Sequence, residues 1–364
     1  MPDIFNAPRR KPDRRTRVAL RVEHWPDDDR AQWEAAFVDG DFFAEGGAGA
    51  HLAVATRKSR ADAYGRWLGF LVQHEPEALM QTVEDRVTRE RIMRFCELLA
   101  QTNSPLSIAT TLMHLRLALR ILTPPSKDWF WVLTIIKRIK AKARPRPKRP
   151  RQRESHELYA LGLELMDTAR REAGRSGFVN MRQALMYRDG LIIAVLAIAP
   201  MRKRSIASLT ISEHLRPNAL SVTTIRLDGA QTKNRRSIEY PLIPEIEPYL
   251  IGYLTQFRPV FLKADSLDAL WTSKKGRPLG GNATYDAVCR RTKTTFGRSM
   301  NLHLFRDAAA TSLAINTPLQ VRAAADLLGH SSFGPTQRHY IRAQGVVAGR
   351  MLAEAVRRRV SWPR

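Results

Sequence analysis

A chain of 364 residues with 44% apolar residues can bury two cores, and its two cysteines, Cys96 and Cys289, exclude a disulfide framework. The 60 Lys and Arg against 35 Asp and Glu leave a net charge of +25 and a pI near 10.9, which demands a polyanionic partner, nucleic acid before an anionic membrane. No apolar run approaches a membrane span and no basic-then-apolar leader opens the chain, so a reducing, cytoplasmic setting is expected.

The charge is uneven. Residues 1–50 carry −2, 51–143 carry +7, 144–153 carry +6 and 154–364 carry +14. Two basic domains joined by the densest charge suit a clamp with both jaws on one anionic rod.

Residues 1–50 read as an N-terminal extension. A basic stretch over 9–21 precedes an acidic helix opening at Pro26-Asp27-Asp28-Asp29, and Gly46, Gly47 and Gly49 break any continuing helix. Trp33 and Phe37 are expected to dock on the body. Residues 51–143 are helical by pattern: Tyr64, Trp67, Leu68 and Leu71 recur at helical spacing, as do Ile92, Phe95, Leu98 and Leu99. Leu112, Leu115, Leu119 and Leu122 form a third stripe, and Trp129, Leu133, Ile136 and Ile139 a fourth. Ser104-Pro105 and Ser126 supply helix starts. Four such helices make a compact bundle with the stripes as its core.

Residues 141–153 hold three prolines and seven basic side chains, a stiff extended spacer. A solvated linker is one reading. Because the segment joins two basic domains, the favoured reading is a strap along DNA phosphates through Arg144, Arg146, Lys148, Arg149, Arg151 and Arg153.

From 154 onward the pattern is mixed. Helices are expected over 158–173 and 182–198, the second buried. Strands over 220–227 and 237–242 flank the turn Asp228-Gly229-Ala230-Gln231 and a tip at Lys233-Asn234. Further helices are expected over 282–296, 302–315, 318–328, where Gly329 caps the end, and 346–360.

The segment from Leu302 to Tyr340 carries the chemistry. His303 and Arg306 fall three apart, on one helix face. His330 follows a Leu-Leu-Gly helix stop, and Tyr340 comes ten residues later. Arginines, histidines and a tyrosine without clustered carboxylates suggest phosphate chemistry with a phenolic nucleophile. A free tyrosine has a pKa near ~10, so it must sit among cations or beside a base to react at neutral pH. No zinc spacing links His303, His330, His339 and Cys289, and no glycine-rich phosphate loop is present, so no cofactor is expected.

These residues resemble the tyrosine recombinases of the phage-integrase family. The family box H-x-L-R-H stands here as His303-Leu304-Phe305-Arg306-Asp307, L-G-H as Leu328-Gly329-His330, and Tyr340 falls one residue later than the commonest family spacing. The upstream arginine box looks like Pro200-Met201-Arg202-Lys203-Arg204-Ser205, closing on Leu209, and the lysine of the β-turn looks like Lys233.

The resemblance implies a mainly α fold with a small antiparallel β-sheet. An α-helical, SAM-like core DNA-binding domain (51–143) and a basic linker (144–153) would precede a mixed α/β catalytic domain of the DNA breaking-rejoining type (154–364). It also implies site-specific recombination through a 3′-phosphotyrosyl intermediate, with Tyr340 as nucleophile. Arg202 and Arg306 would be phosphate forks, Lys233 the acid for the leaving oxygen, His303 an acid/base and His330 a phosphate donor. A homotetramer on paired sites of double-stranded DNA is implied, with the 346–360 helix passed in trans and accessory DNA-bending proteins admitted, in a nucleoid of bacterial or phage origin.

Three departures stand out: Ser205 at the usual glutamate, Asp307 where His or Lys is common, and Gly334-Pro335 within the lengthened tyrosine loop. Two alternatives stay open, a type IB topoisomerase-like relaxing enzyme and a catalytically decayed DNA-binding protein.

Overall fold

The computed structural model describes residues 19–42, 45–143, 153–217, 223–232 and 235–316. Two compact units divide between Arg146 and Pro147.

The first unit comprises α1 (Asp27–Ala35), α2 (Val54–His74), a single turn α3 (Val83–Arg86), α4 (Arg89–Ala100), α5 (Pro105–Leu122) and α6 (Phe130–Lys142). The apolar stripes meet as expected: Trp67, Leu68, Leu71, Ile92, Leu115 and Leu119 are fully buried. Ser104 caps α5, its Oγ accepting from the Ser107 N–H at 3.1 Å, with Pro105 in the first turn. Ser126 does not start α6. The Trp129 ring is buried and donates from Nε1 to Thr123 Oγ1 at 3.1 Å, so the chain from 123 to 129 is held as a loop. Trp129 is the N-cap of α6 without a side-chain cap bond, and Asp128 just before it accepts from the Phe130 N–H at 2.9 Å. Burying an indole outweighs a local cap.

Helix α1 is part of this unit. Trp33 is buried and packs edge-on against Trp25 at 5.3 Å and Phe37 at 4.8 Å, so both expected aromatics dock. Asp29, in an acidic first turn, is only 1% exposed. Its Oδ2 accepts from the Tyr64 hydroxyl and from Arg86 Nη1, each at 2.6 Å. Arg86 spends its other N–H groups on the Gln81 and Leu79 carbonyls, so this buried pair has its donors satisfied.

The second unit holds α7 (Ser155–Ser176), α8 (Met181–Ile198), α9 (Lys203–Ala207), α10 (Ile211–His214), strands β1 (Leu215–Pro217), β2 (Thr223–Leu227) and β3 (Ile238–Pro241), α11 (Glu247–Gly252), α12 (Gly281–Phe296) and α13 (Leu302–Asn316). Helix α8 is the central strut, buried from Met186 through Ala197. It lies against α7 at bare backbone. A Cβ on Gly162 would stand 2.7 Å from the Gly190 carbonyl oxygen, and one on Gly190 would stand 2.8 Å from that of Gly162. Only glycine permits this approach.

The strands form one antiparallel sheet in the order β1-β2-β3, with Leu215 opposite Ile225 and Ile225 opposite Tyr240. The expected β2 and β3 are present. The edge strand β1 was not anticipated, because it spans three residues and ends on a proline, too short to show alternation. Helix α11 and the π-turn that continues it (Tyr253–Phe257) were also not anticipated, since Pro244, Pro248 and Pro259 interrupt any helical period there. The expected helices at 318–328 and 346–360 lie outside the described residues. Among the described residues no helix is long and apolar enough to cross a membrane.

Candidate active site

Pro200 stops α8. Its ring forbids a continuing helix, and the chain turns at once, the Met201 N–H donating to the Ala199 carbonyl at 2.7 Å. This tight turn sets Arg202 in an extended conformation at the N-terminus of α9. The second arginine comes from α13, whose start is capped by Asn301: its Oδ1 accepts from the His303 and Leu304 N–H groups at 3.0 and 3.1 Å. Leu302, Phe305 and Ala309 turn into the core and carry Arg306 in with them, leaving it 7% exposed.

Arg306 Nη1 donates to the Pro200 carbonyl at 2.7 Å, which ties the two arginine segments together across 106 positions. The guanidinium of Arg306 is pulled down to about 10, first by burial and then by the neighbouring charge of Arg202, with Tyr240 and Asp307 opposing. Tyr240 is 2% exposed on β3, and burial raises its hydroxyl above the ordinary tyrosine value while both arginines pull it back. Two guanidiniums and a neutral phenol therefore converge. The arrangement suits an anion whose oxygens can accept from both forks, as a phosphodiester can.

His303 sits in the first turn of α13 with its side chain 68% exposed, and its Nε2 lies 3.8 Å from Asp307 Oδ1. Asp307 is itself 5% exposed. His303 and Arg306 thus share a helix without sharing burial: the arginine is inward, the imidazole at the rim. Ser205 is buried in α9, and its carbonyl accepts from the Ser208 hydroxyl at 3.2 Å.

Of the expected site residues the structure brings Arg202 and Arg306 together, with His303 four residues before Asp307. Lys233, His330 and Tyr340 lie outside the described residues, as do Arg144, Arg146, Lys148, Arg149 and Arg151. Arg153 is described: its guanidinium stands 5.0 Å from the Phe296 ring centroid and 3.9 Å from Glu157. Tyr240 was missed by the sequence reading. The signal was there, because Ile238 and Leu242 alternate with it on the side of β3 that faces the core.

In the connection from β2 to β3, the described residues 228–232 and 235–236 are closely bonded to one another. Asp228 and Gln231 form a reciprocal capping box. Thr232 Oγ1 donates to the Gly229 carbonyl at 3.1 Å and the Arg236 carbonyl at 2.8 Å. A Cβ on Gly229 would stand 2.7 Å from the Arg235 carbonyl, and Arg235 itself has a left-handed φ of 54°. Such backbone is found where surrounding structure fixes it.

The sequence model of the phage integrase family matches residues 164–345. No curated protein sequence matches the chain. Among solved structures, the fold is similar to XerH site-specific recombinase bound to difH substrate in a pre-cleavage complex, with a TM-score of 0.54 and 17% identity over 79% of this chain and 78% of that one. XerA recombinase aligns with a TM-score of 0.34 and 18% identity over 80% of this chain and 89% of the other.

Proposed function

The chain belongs to the phage integrase family of tyrosine recombinases, and from that premise we propose that it cuts and rejoins double-stranded DNA at specific paired sites through a covalent bond to Tyr340. The reading rests on one observation above the others, the convergence of Arg202 and Arg306 at the Pro200 turn.

In this reading the Tyr340 oxygen attacks the scissile phosphorus and its proton passes to His303. The bond from phosphorus to the 5′ oxygen breaks, and Lys233 protonates the departing oxygen. Arg202 and Arg306 hold the two non-bridging oxygens as charge builds on them, and His330 donates to the same phosphate. The product is a 3′-phosphotyrosyl ester, so the bond energy is kept and no nucleotide cofactor is required. Attack by the 5′ hydroxyl of the partner strand reverses the step and completes the exchange.

Both domains hold the duplex, 51–143 as core-binding domain and 154–364 as catalytic domain, with the basic residues of 144–153 along the phosphates. Four copies assemble on two sites, and the 346–360 helix docks on a neighbouring copy as a head-to-tail, ring-closing contact.

The test is a labelled suicide duplex carrying the imperfect inverted repeat nearest the gene, run on a denaturing gel with the adduct mapped by peptide mass. Tyr340→Phe removes one oxygen and no charge, so DNA affinity should hold while cleavage and adduct vanish together. His339→Ala should retain the adduct. A phosphopeptide centred on Tyr285, or an adduct formed by Tyr340→Phe, refutes the assignment.

A further inference from the structure

His214 closes α10 and is 2% exposed, a buried imidazole that the proposed chemistry does not use. Its hydrogen bonds fix its tautomer. Nδ1 accepts from the Thr210 N–H at 3.0 Å, so the ring proton sits on Nε2. Nε2 lies 3.2 Å from Gln231 Oε1, the same oxygen that accepts from the Asp228 N–H at 3.0 Å. His214 therefore donates to the side chain that closes the capping box at the base of the β2–β3 connection. Lys233 follows Gln231 by two positions in the chain.

We propose that His214 is a positioning residue for DNA cleavage: through Gln231 it sets the base of the β2–β3 connection and so the place from which Lys233 protonates the leaving 5′ oxygen. The inference rests on the reading of Lys233 as that acid. It needs no contact between His214 and DNA. A direct bond from an ordered ring to the loop base is worth having because proton transfer is sharply distance-dependent, and a misplacement of about 1 Å can cost on the order of 10²-fold.

A leaving group that needs no proton separates positioning from plain stability. A suicide duplex is built on the sequence at which the wild-type protein forms its adduct, in two versions, one with the natural 5′ oxygen at the scissile position and one with a 5′-bridging sulfur. Thiolate departs without an acid, so loss of the acid's placement should matter only to the first version.

His214→Ala and Gln231→Met, the second chosen because Gln231 is only half-buried and the swap keeps its length, should lower cleavage of the oxygen duplex by about 10- to 100-fold. On the sulfur duplex both should cleave within about threefold of wild type, because no proton has to be placed. His214→Gln, whose amide nitrogen can reach the place of Nε2, should recover much of the oxygen activity.

Equal losses on both duplexes, or no loss on either, overturn the proposal. Lys233→Ala is the control for the reading beneath it. If that variant is not rescued by sulfur, Lys233 is not the acid and both claims fall. If it is rescued while His214→Ala is not, only the role of His214 falls.

Discussion

Arg306 donates to the carbonyl of Pro200, two positions ahead of Arg202, and this one bond of 2.7 Å joins segments 106 residues apart and sets two arginine charges near each other. Each arginine is placed by a helix boundary: Arg202 by the proline that ends α8, Arg306 by the asparagine that starts α13.

The two forks should be individually indispensable for chemistry and dispensable for folding. Arg306→Ala is expected to slow adduct formation by about 10²- to 10³-fold, the usual cost of one preorganised donor at a developing charge. Arg306→Lys should recover little, because an ammonium cannot span two oxygens in a plane. Single-turnover rates on the suicide duplex decide this, and a lysine variant near wild type would mean that charge alone suffices.

A second expectation concerns pH and stability. Burial and the Arg202 charge hold the Arg306 guanidinium at about 10 in the folded chain, well below the ordinary arginine value. A base with a lowered folded pKa opposes folding while it is charged: that opposition is complete below about pH 10 and fades as pH rises from there toward the ordinary arginine value. A phosphodiester between the forks would offset it at neutral pH. Site-bearing duplex should therefore raise the Tm of the wild type more than that of Arg306→Met, read by thermal melts at pH 7. Equal rises would remove Arg306 from the phosphate site.

Replacing Arg144, Arg146, Lys148, Arg149, Arg151 and Arg153 with Gln should weaken binding to all duplex sequences alike. The slope of log affinity against log salt should fall by roughly one unit for each phosphate no longer neutralised. Arg153, already beside Glu157 and over Phe296, is expected to contribute least. An unchanged slope would make the segment a solvated linker.

Deleting 346–364 should leave single-site binding intact and abolish synapsis, because the ring then lacks its closing contact. Native gels with one-site and two-site duplexes read both properties, and normal two-site complexes would discard the exchange of this helix.

In the first unit, Asp29→Ala leaves Arg86 charged and buried without its carboxylate. Such a loss costs about 3–5 kcal/mol, visible in urea unfolding followed by the fluorescence of Trp25 and Trp33. Asp62→Ala, which removes an exposed pair with Lys58, should change little.

The helices of the first unit and the long helices of the second were legible because their apolar residues repeat at helical spacing, and the start of α5 because it carries Ser104-Pro105. Of the expected site, Arg202 and Arg306 stand in boxes that the sequence shows, and the structure brings them together, whereas Lys233, His330 and Tyr340 lie outside the described residues. Burial of charge was not legible. Nothing in the acidic run at Asp27 says that Asp29, and not its neighbours, turns inward to Tyr64 and Arg86. Tyr240 was passed over because a strand tyrosine is ordinarily core, and its position beside two arginines is a property of the sheet register with Ile225. His214 reads as one more surface histidine until Thr210 and Gln231 are found on either side of its ring.

The meeting of Gly162 with Gly190 has a mechanical meaning. Helix α8 runs eight residues beyond Gly190 to Ile198, a rigid arm of roughly 12 Å at 1.5 Å per residue. The glycine contact is the fulcrum of that arm and the Pro200 turn lies at its far end. A single added methyl at either glycine forces the helices apart where no side chain can give way, and tilting the arm displaces the Pro200 carbonyl from Arg306. A substitution a full helix arm away from Arg202 would then read out as a change in the spacing of two cationic forks.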